Sequence, residues 1–198
     1  MKFYNDVRDK IGPLRQRGFD YIFEYLKTIE NPLIVETGCA RQENNYAGDG
    51  QSSLLFDQYN KEYGGQFFTV DISKDSVEYC RSKMINENSS VSLGDSILYL
   101  KELNKWLQSK NQKIDFLYLD SFDAPKNDPD KLLTSALHHL YEFTTILPSL
   151  KPGSLVGVDD CWMTGDILGG KGTFIAEYME KINNKPLLVF HQTFWKIL

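Results

Sequence analysis

The stretch Val35-Glu-Thr-Gly-Cys-Ala-Arg-Gln-Glu-Asn-Asn-Tyr-Ala-Gly-Asp-Gly-Gln-Ser-Ser53 leaves an apolar run that begins at Leu33 and delivers the chain to a segment opened by two hydroxyls. A continuous apolar run ending in polar residues suits a parallel strand buried on both faces, with its carboxyl end at a site. Gly38 lacks a β-carbon, so a ligand or a sharp turn can lie against the backbone there. The glycines at 38, 48 and 50 are spaced too widely for G-x-G-x-x-G, which argues against a dinucleotide-binding loop. Ser52 and Ser53 start a helix, where side-chain oxygens satisfy orphan amides.

The same unit recurs on either side of this stretch. Apolar residues at helical spacing from Ile11 to Ile29, interrupted at Gly12-Pro13, predict two short helices, and Asn31-Pro32 ends the second. Further strands are expected at 67–71, 90–93, 114–120, 154–160, 186–190 and 193–197, with helices at 52–59, 75–84, 96–106, 131–147 and 173–182. Residues 165–172 read as a flexible glycine-bearing segment, and His191-Gln192 as a hairpin turn. Alternation of this kind predicts an α/β fold: a Rossmann-like, seven-stranded, mostly parallel sheet with helices on both faces and an antiparallel C-terminal strand. Residues 1–30 form an N-terminal helical cap, and residues 31–198 a single compact domain.

Composition narrows the class. With 41% hydrophobic and 25% charged residues, the chain has the balance of a folded globular protein. A net charge of −5 disfavours nucleic acid as a general partner. No apolar run approaches a membrane span, so no membrane association is expected. Cys39, Cys80 and Cys161 form no C-x-x-C pair and no charged-then-apolar leader precedes them, which favours a reducing cytoplasm over a disulfide or zinc framework. Oligomeric state is open, because apolar positions on the first helices suit packing on the domain or on a second copy.

In such a sheet, ligands sit at the carboxyl ends of the strands. The acids collect there: Glu36, Asp71, Asp95, Asp120, Asp159 and Asp160. Asp71 at a strand end is placed to accept from both ribose hydroxyls of an adenosine, although a carboxylate there also caps turns.

Taken in order, Val35-Glu-Thr-Gly38, Val70-Asp71, Gly94-Asp95-Ser96, Leu119-Asp120 and Leu150-Lys-Pro-Gly-Ser154 resemble the class I S-adenosylmethionine-dependent methyltransferases over residues 31–198. The resemblance implies that Glu36 and Gly38 lie near the methionine end of the cofactor, Asp71 at the ribose, and Asp95 with Ser96 at the adenine. Gly48 to Ser53 then resumes the cofactor loop after an insertion, Cys39 to Ala47. This brings Gly50, Ser52 and Ser53 to a helix start suited to the cofactor carboxylate. Arg41 is a second candidate for that carboxylate, and Asp120 borders the cofactor.

The remaining acids are similar to those of the metal-dependent macrocin O-methyltransferase and cephalosporin-hydroxylase-like group. That likeness implies that Asp120, Asp159 and Asp160 converge on Mg2+, a hard cation that prefers oxygen ligands. Two adjacent acids at a strand end repel each other unless something neutralises them. Base candidates are His139, His138 and Asp123. Asp123 lies three residues after Asp120, where that group has its second aspartate after two. The function implied is O-methylation of a small-molecule acceptor, a sugar or other polyol. A nicotinamide-dependent oxidoreductase and a non-catalytic nucleotide-binding domain are the alternatives. Phe122, Trp162 and Met163 suit an acceptor pocket or plain core packing equally.

Overall fold

The computed structural model describes all 198 residues. Two helices, α1 (Lys2–Arg8) and α2 (Pro13–Leu26), precede β1 (Leu33–Thr37), with Pro13 at the first turn of α2, where a missing N–H costs nothing. There follow α3 (Tyr46–Asp49), α4 (Ser52–Tyr63), β2 (Gln66–Asp71), α5 (Lys74–Lys83), β3 (Ser89–Leu93), α6 (Ser96–Ser109), β4 (Ile114–Leu119) and α7 (Pro129–Ile146). The chain closes with β5 (Leu150–Val158), β6 (Cys161–Thr164), β7 (Ile167–Gly170), α8 (Thr173–Lys181), β8 (Leu188–Val189) and β9 (Thr193–Lys196). Ser73, Asp95 and Asp128 cap α5, α6 and α7, each accepting the amide three residues on.

Seven strands form one sheet, as the sequence pattern predicts, and their order is β3-β2-β1-β4-β5-β9-β8. The five strands β1 to β5 run parallel, and β9 lies antiparallel to both β5 and β8. Strand order reverses between β1 and β4, so the connections that follow them leave in opposite directions along the sheet and a crevice lies between them.

The two-residue period of the strands builds two cores. Val35, Leu117, Leu119, Val156 and Val158 face α6, α7 and α8, meeting Leu103, Phe143 and Met179. Their neighbours Ile34, Phe116, Tyr118 and Leu155 face the other way, onto Phe19, Ile22 and Phe23 of α2 and Phe56 of α4. Phe23 sits among Phe3, Tyr4 and Tyr59 at centroid distances of 4.8–5.8 Å. The first helices therefore cover one face of the sheet.

Two segments differ from the sequence reading. Residues 165–172 are not a loose connection: β6 and β7 pair as an antiparallel hairpin, with Trp162 opposite Gly169 and Cys161 opposite Gly170. The glycines leave room for the indole, since a β-carbon on Gly169 would stand 2.7 Å from Trp162 Nε1. A single helical turn, α3, also spans the end of the insertion and is not announced by the polar sequence there.

Candidate active site

A cavity of about 490 Å³ opens at the carboxyl ends of β1, β2, β3 and β4, where the topology places a crevice. Gly38 turns the chain at φ +82°, and a β-carbon there would stand 2.5 Å from the Asp120 carbonyl oxygen. Only glycine lets the loops after β1 and β4 meet this closely. Asp71 accepts amides from Cys39 (3.1 Å) and Ser73 (2.8 Å), which fixes its carboxylate on the cavity wall. Asp95 and Ser96 lie at the start of α6, and Ser96 Oγ is 2.9 Å from His138 Nε2. Ile72 and Phe122 stand exposed beside the cavity, and Phe122 stacks on His138 at 5.4 Å.

Gly38, Arg41, Ser52, Asp71, Asp95, Ser96 and Asp120 thus line one cavity, together with His138 and Asp123. Glu36, Gly50 and Ser53, expected at the cofactor, do not line it. Glu36 is fully buried behind the wall, where the Ser53 hydroxyl donates to its carboxylate, and burial pushes its pKa up to about 8. Ser53 in turn accepts the Ala40 amide at 3.1 Å, so the pair holds the loop from behind. Gly50 at φ +72° fits beneath Arg15 and Phe19.

The histidines separate in the same way. His139 is fully buried and absent from the cavity lining; its Nδ1 lies 2.7 Å from the Ser135 carbonyl and its Nε2 has no partner. Burial lowers its pKa to about 4, so the ring is a neutral core group rather than a base in reach of an acceptor. His138 faces the cavity and lies 3.2 Å from Glu142. Burial favours its neutral form, but Glu142 outweighs burial and raises its pKa. Glu142 is itself fully buried and accepts from Ser121 (2.6 Å) and Thr37 (3.0 Å), so the strand ends of β1 and β4 are tied to α7 through one carboxylate.

The acids after β4 and β5 do converge, but on a lysine. Lys171 Nζ lies 2.6 Å from Asp120 Oδ1, 2.8 Å from Asp123 Oδ1 and 3.0 Å from Asp160 Oδ2, with its side chain 4% exposed. Arg15 of α2 reaches Asp159 at 2.9 Å and Asp160 at 3.3 Å, and Arg41 reaches Asp123 at 2.5 Å. Asp120, Asp123 and Asp160 bring oxygens within 4.8 Å of one another, and two oxygens of Asp159 and Asp160 lie as close to a ring nitrogen of His191. A divalent ion in the first set would have to displace an ammonium already bonded to all three carboxylates. The expected set of Asp120, Asp159 and Asp160 is not assembled, because Asp159 groups with Asp160 and His191 and pairs with Arg15, and these residues therefore do not fit the expected Mg2+.

Burial lowers the proton affinity of Lys171, yet the surrounding aspartates raise its pKa well above the ordinary lysine value. Asp123 is a weak base: burial favours its protonation, but Lys171 and Arg41 outweigh burial and hold its pKa below the usual carboxylate range. Asp120 is the opposite case, its pKa raised by burial and by the neighbouring Asp159 and Asp160 despite Lys171.

No protein-family model matches the chain, and no curated protein does. Among solved structures, human methyltransferase-like protein 13 in complex with SAH superposes with a TM-score of 0.51 at 13% identity, over 88% of this chain and 75% of that one. A SAM-dependent methyltransferase from Anabaena variabilis gives 0.48 at 14% identity, over 93% and 67% of the two chains. A Serratia marcescens short-chain dehydrogenase/reductase gives 0.45 at 12% identity over 63% of this chain, which spans 53% of that protein's length. The fold is that of the class I methyltransferases.

Lys171, Arg15 and His191 are the partners of the strand-end acids that the sequence pattern does not reveal. Lys171 lies 51 positions from Asp120, and Arg15 lies 144 from Asp159. The signal available was indirect: adjacent Asp159 and Asp160 demand positive charge, and a lysine follows Gly169-Gly170 in a chain segment that must return past them.

Proposed function

We propose that the protein is an S-adenosylmethionine-dependent methyltransferase acting on a hydroxyl of a small molecule, a sugar or other polyol. The observation that carries this reading is the cavity at the switch point, walled by Asp71 and cradled by Gly38, in a sheet whose β9 runs antiparallel between β5 and β8. An all-parallel dinucleotide-binding sheet has no such strand. The three free cysteines agree with a reducing cytoplasm.

When bound, S-adenosylmethionine supplies an activated methyl group: the acceptor oxygen forms a bond to the methyl carbon as the carbon–sulfur bond breaks and its electron pair stays on sulfur. This chain's residues have three tasks around that event. Asp71 accepts from the ribose hydroxyls, and Ile72 and Phe122 enclose the adenine beside Asp95 and Ser96. Ser52 and Arg41 receive the methionine carboxylate. Asp120, the cavity-lining carboxylate whose proton affinity is raised, takes the proton that the acceptor hydroxyl loses. Residues 1–30 act as the cap on the acceptor side, with Arg15 reaching the strand-end acids. No step of this reading uses Mg2+.

Calorimetric titration with S-adenosylmethionine, S-adenosylhomocysteine and NAD tests it. Saturable binding of the first two and none of NAD is expected; NAD binding without the others would refute the reading. With binding in hand, an acceptor screen that follows S-adenosylhomocysteine release identifies the substrate.

A further inference from the structure

Lys171 follows β7 directly, and its ammonium is spent entirely on carboxylates. Its ammonium donates hydrogen bonds to Asp120 and Asp123 and forms an ion pair with Asp160. Those three aspartates come from the loops after β4 and β5, so without a cation between them their carboxylates would repel one another. Arg15 supplies a second positive charge on the far side of Asp160 and Asp159. Arg41 adds a third on Asp123, and of these cations Lys171 alone touches all three carboxylates.

We propose that Lys171 is a built-in cation at a metal-type site: it neutralises and orders Asp120, Asp123 and Asp160 as a divalent ion would, and excludes such an ion from the wild-type protein. The distances fit this division. Ammonium–carboxylate contacts of 2.6–3.0 Å hold the oxygens slightly further from the centre than a hard cation does, by a few tenths of an ångström in the case of Ca2+, at roughly 2.3–2.6 Å, and by more for Mg2+, at about 2.0–2.1 Å. Removing the lysine side chain leaves three oxygens that close onto an ion with a small contraction. In the second set, Asp159, Asp160 and His191, Arg15 pairs with the two aspartates. Lys171 is accordingly a positioning residue: it sets where Asp120 and Asp123 stand.

The proposal is independent of methyl transfer, and its test reads metal binding and stability. Mn2+ is titrated by electron paramagnetic resonance and calorimetry into the wild type, Lys171→Ala and the double variant Lys171→Ala/Asp160→Asn. Lys171→Ala is expected to bind one Mn2+ more than about tenfold tighter than the wild type, and the double variant to lose that gain. Lys171→Ala is also expected to melt several degrees below the wild type and to recover most of the loss on adding Mn2+. If the alanine variant fails to fold alone, Lys171→Gln is measured by urea denaturation with and without Mn2+, and a raised midpoint supports the proposal. Stoichiometric Mn2+ binding by the wild type that Asp160→Asn abolishes would overturn it. So would folded Lys171→Ala that binds no Mn2+, or a Lys171→Gln midpoint that Mn2+ leaves in place.

Discussion

Asp71 uses one carboxylate oxygen on the Cys39 amide and the other on the Ser73 amide, and it still borders the cavity. Asp71→Asn keeps its shape but removes the charge and one acceptor, so S-adenosylmethionine affinity should fall by about tenfold, read by calorimetry. Asp120→Asn should lower kcat by about 10²-fold with a much smaller change in KM. Because burial and the nearby acids raise the Asp120 pKa, wild-type kcat should climb as pH rises through that value, and the climb should vanish in the variant. A pH–rate profile unchanged by Asp120→Asn would move the proton acceptor elsewhere. The strand-end acids were legible in the sequence because each ends an apolar run, and a run of buried strand leaves its polar residues at one edge. Their partners were not legible. Neither Arg15 nor Lys171 belongs to a local pattern; each acquires meaning only when α2 and the β6–β7 hairpin pack over the acids. The histidines show the same limit, since His138 and His139 are adjacent in sequence but diverge around α7, one into the cavity and one into the core.

At the scale of elements, β1 to β5 were readable because strands buried on both faces need unbroken apolar runs, and the turn residues between them are punctuated by glycine, proline and asparagine. The hairpin β6–β7 was not, because glycines in a short run carry a loop signal. They are strand glycines selected by a neighbour: the Trp162 ring fills the space over Gly169 and Gly170. Gly170 is the stricter of the two, at φ +86° with a β-carbon that would stand 2.1 Å from the Asp160 carbonyl oxygen. Gly170→Ala is therefore expected to cost more than about 2 kcal/mol in urea denaturation. It should also displace the next residue, Lys171, from the aspartates. Stability equal to the wild type would show that the hairpin can shift without strain.

For the whole molecule, two fully buried titratable groups predict how stability follows pH. Glu36 holds its proton up to about 8, against an ordinary value of 4.5, so its contribution is full below 4.5 and is lost as pH rises towards 8. His139 resists protonation down to about 4, against an ordinary value of 6.5, so its contribution is full above 6.5 and is lost as pH falls towards 4. Each slope is about 1.4 kcal/mol per pH unit. Between pH 4.5 and 6.5 these two oppose and cancel, whereas from 6.5 to 8 only Glu36 of the pair titrates, and it removes about 2 kcal/mol. Subtracting the curve of each variant from the wild type isolates its group from every other titration. Relative to the wild type, Glu36→Gln should gain stability steadily from pH 4.5 to 8, and His139→Gln should gain it as pH falls from 6.5 to 4. Urea denaturation across this range decides the matter. A Glu36→Gln difference curve that stays flat above pH 6.5 would mean that Glu36 is ionised in the folded protein, with the Ser53 hydroxyl stabilising the charge rather than sharing its proton.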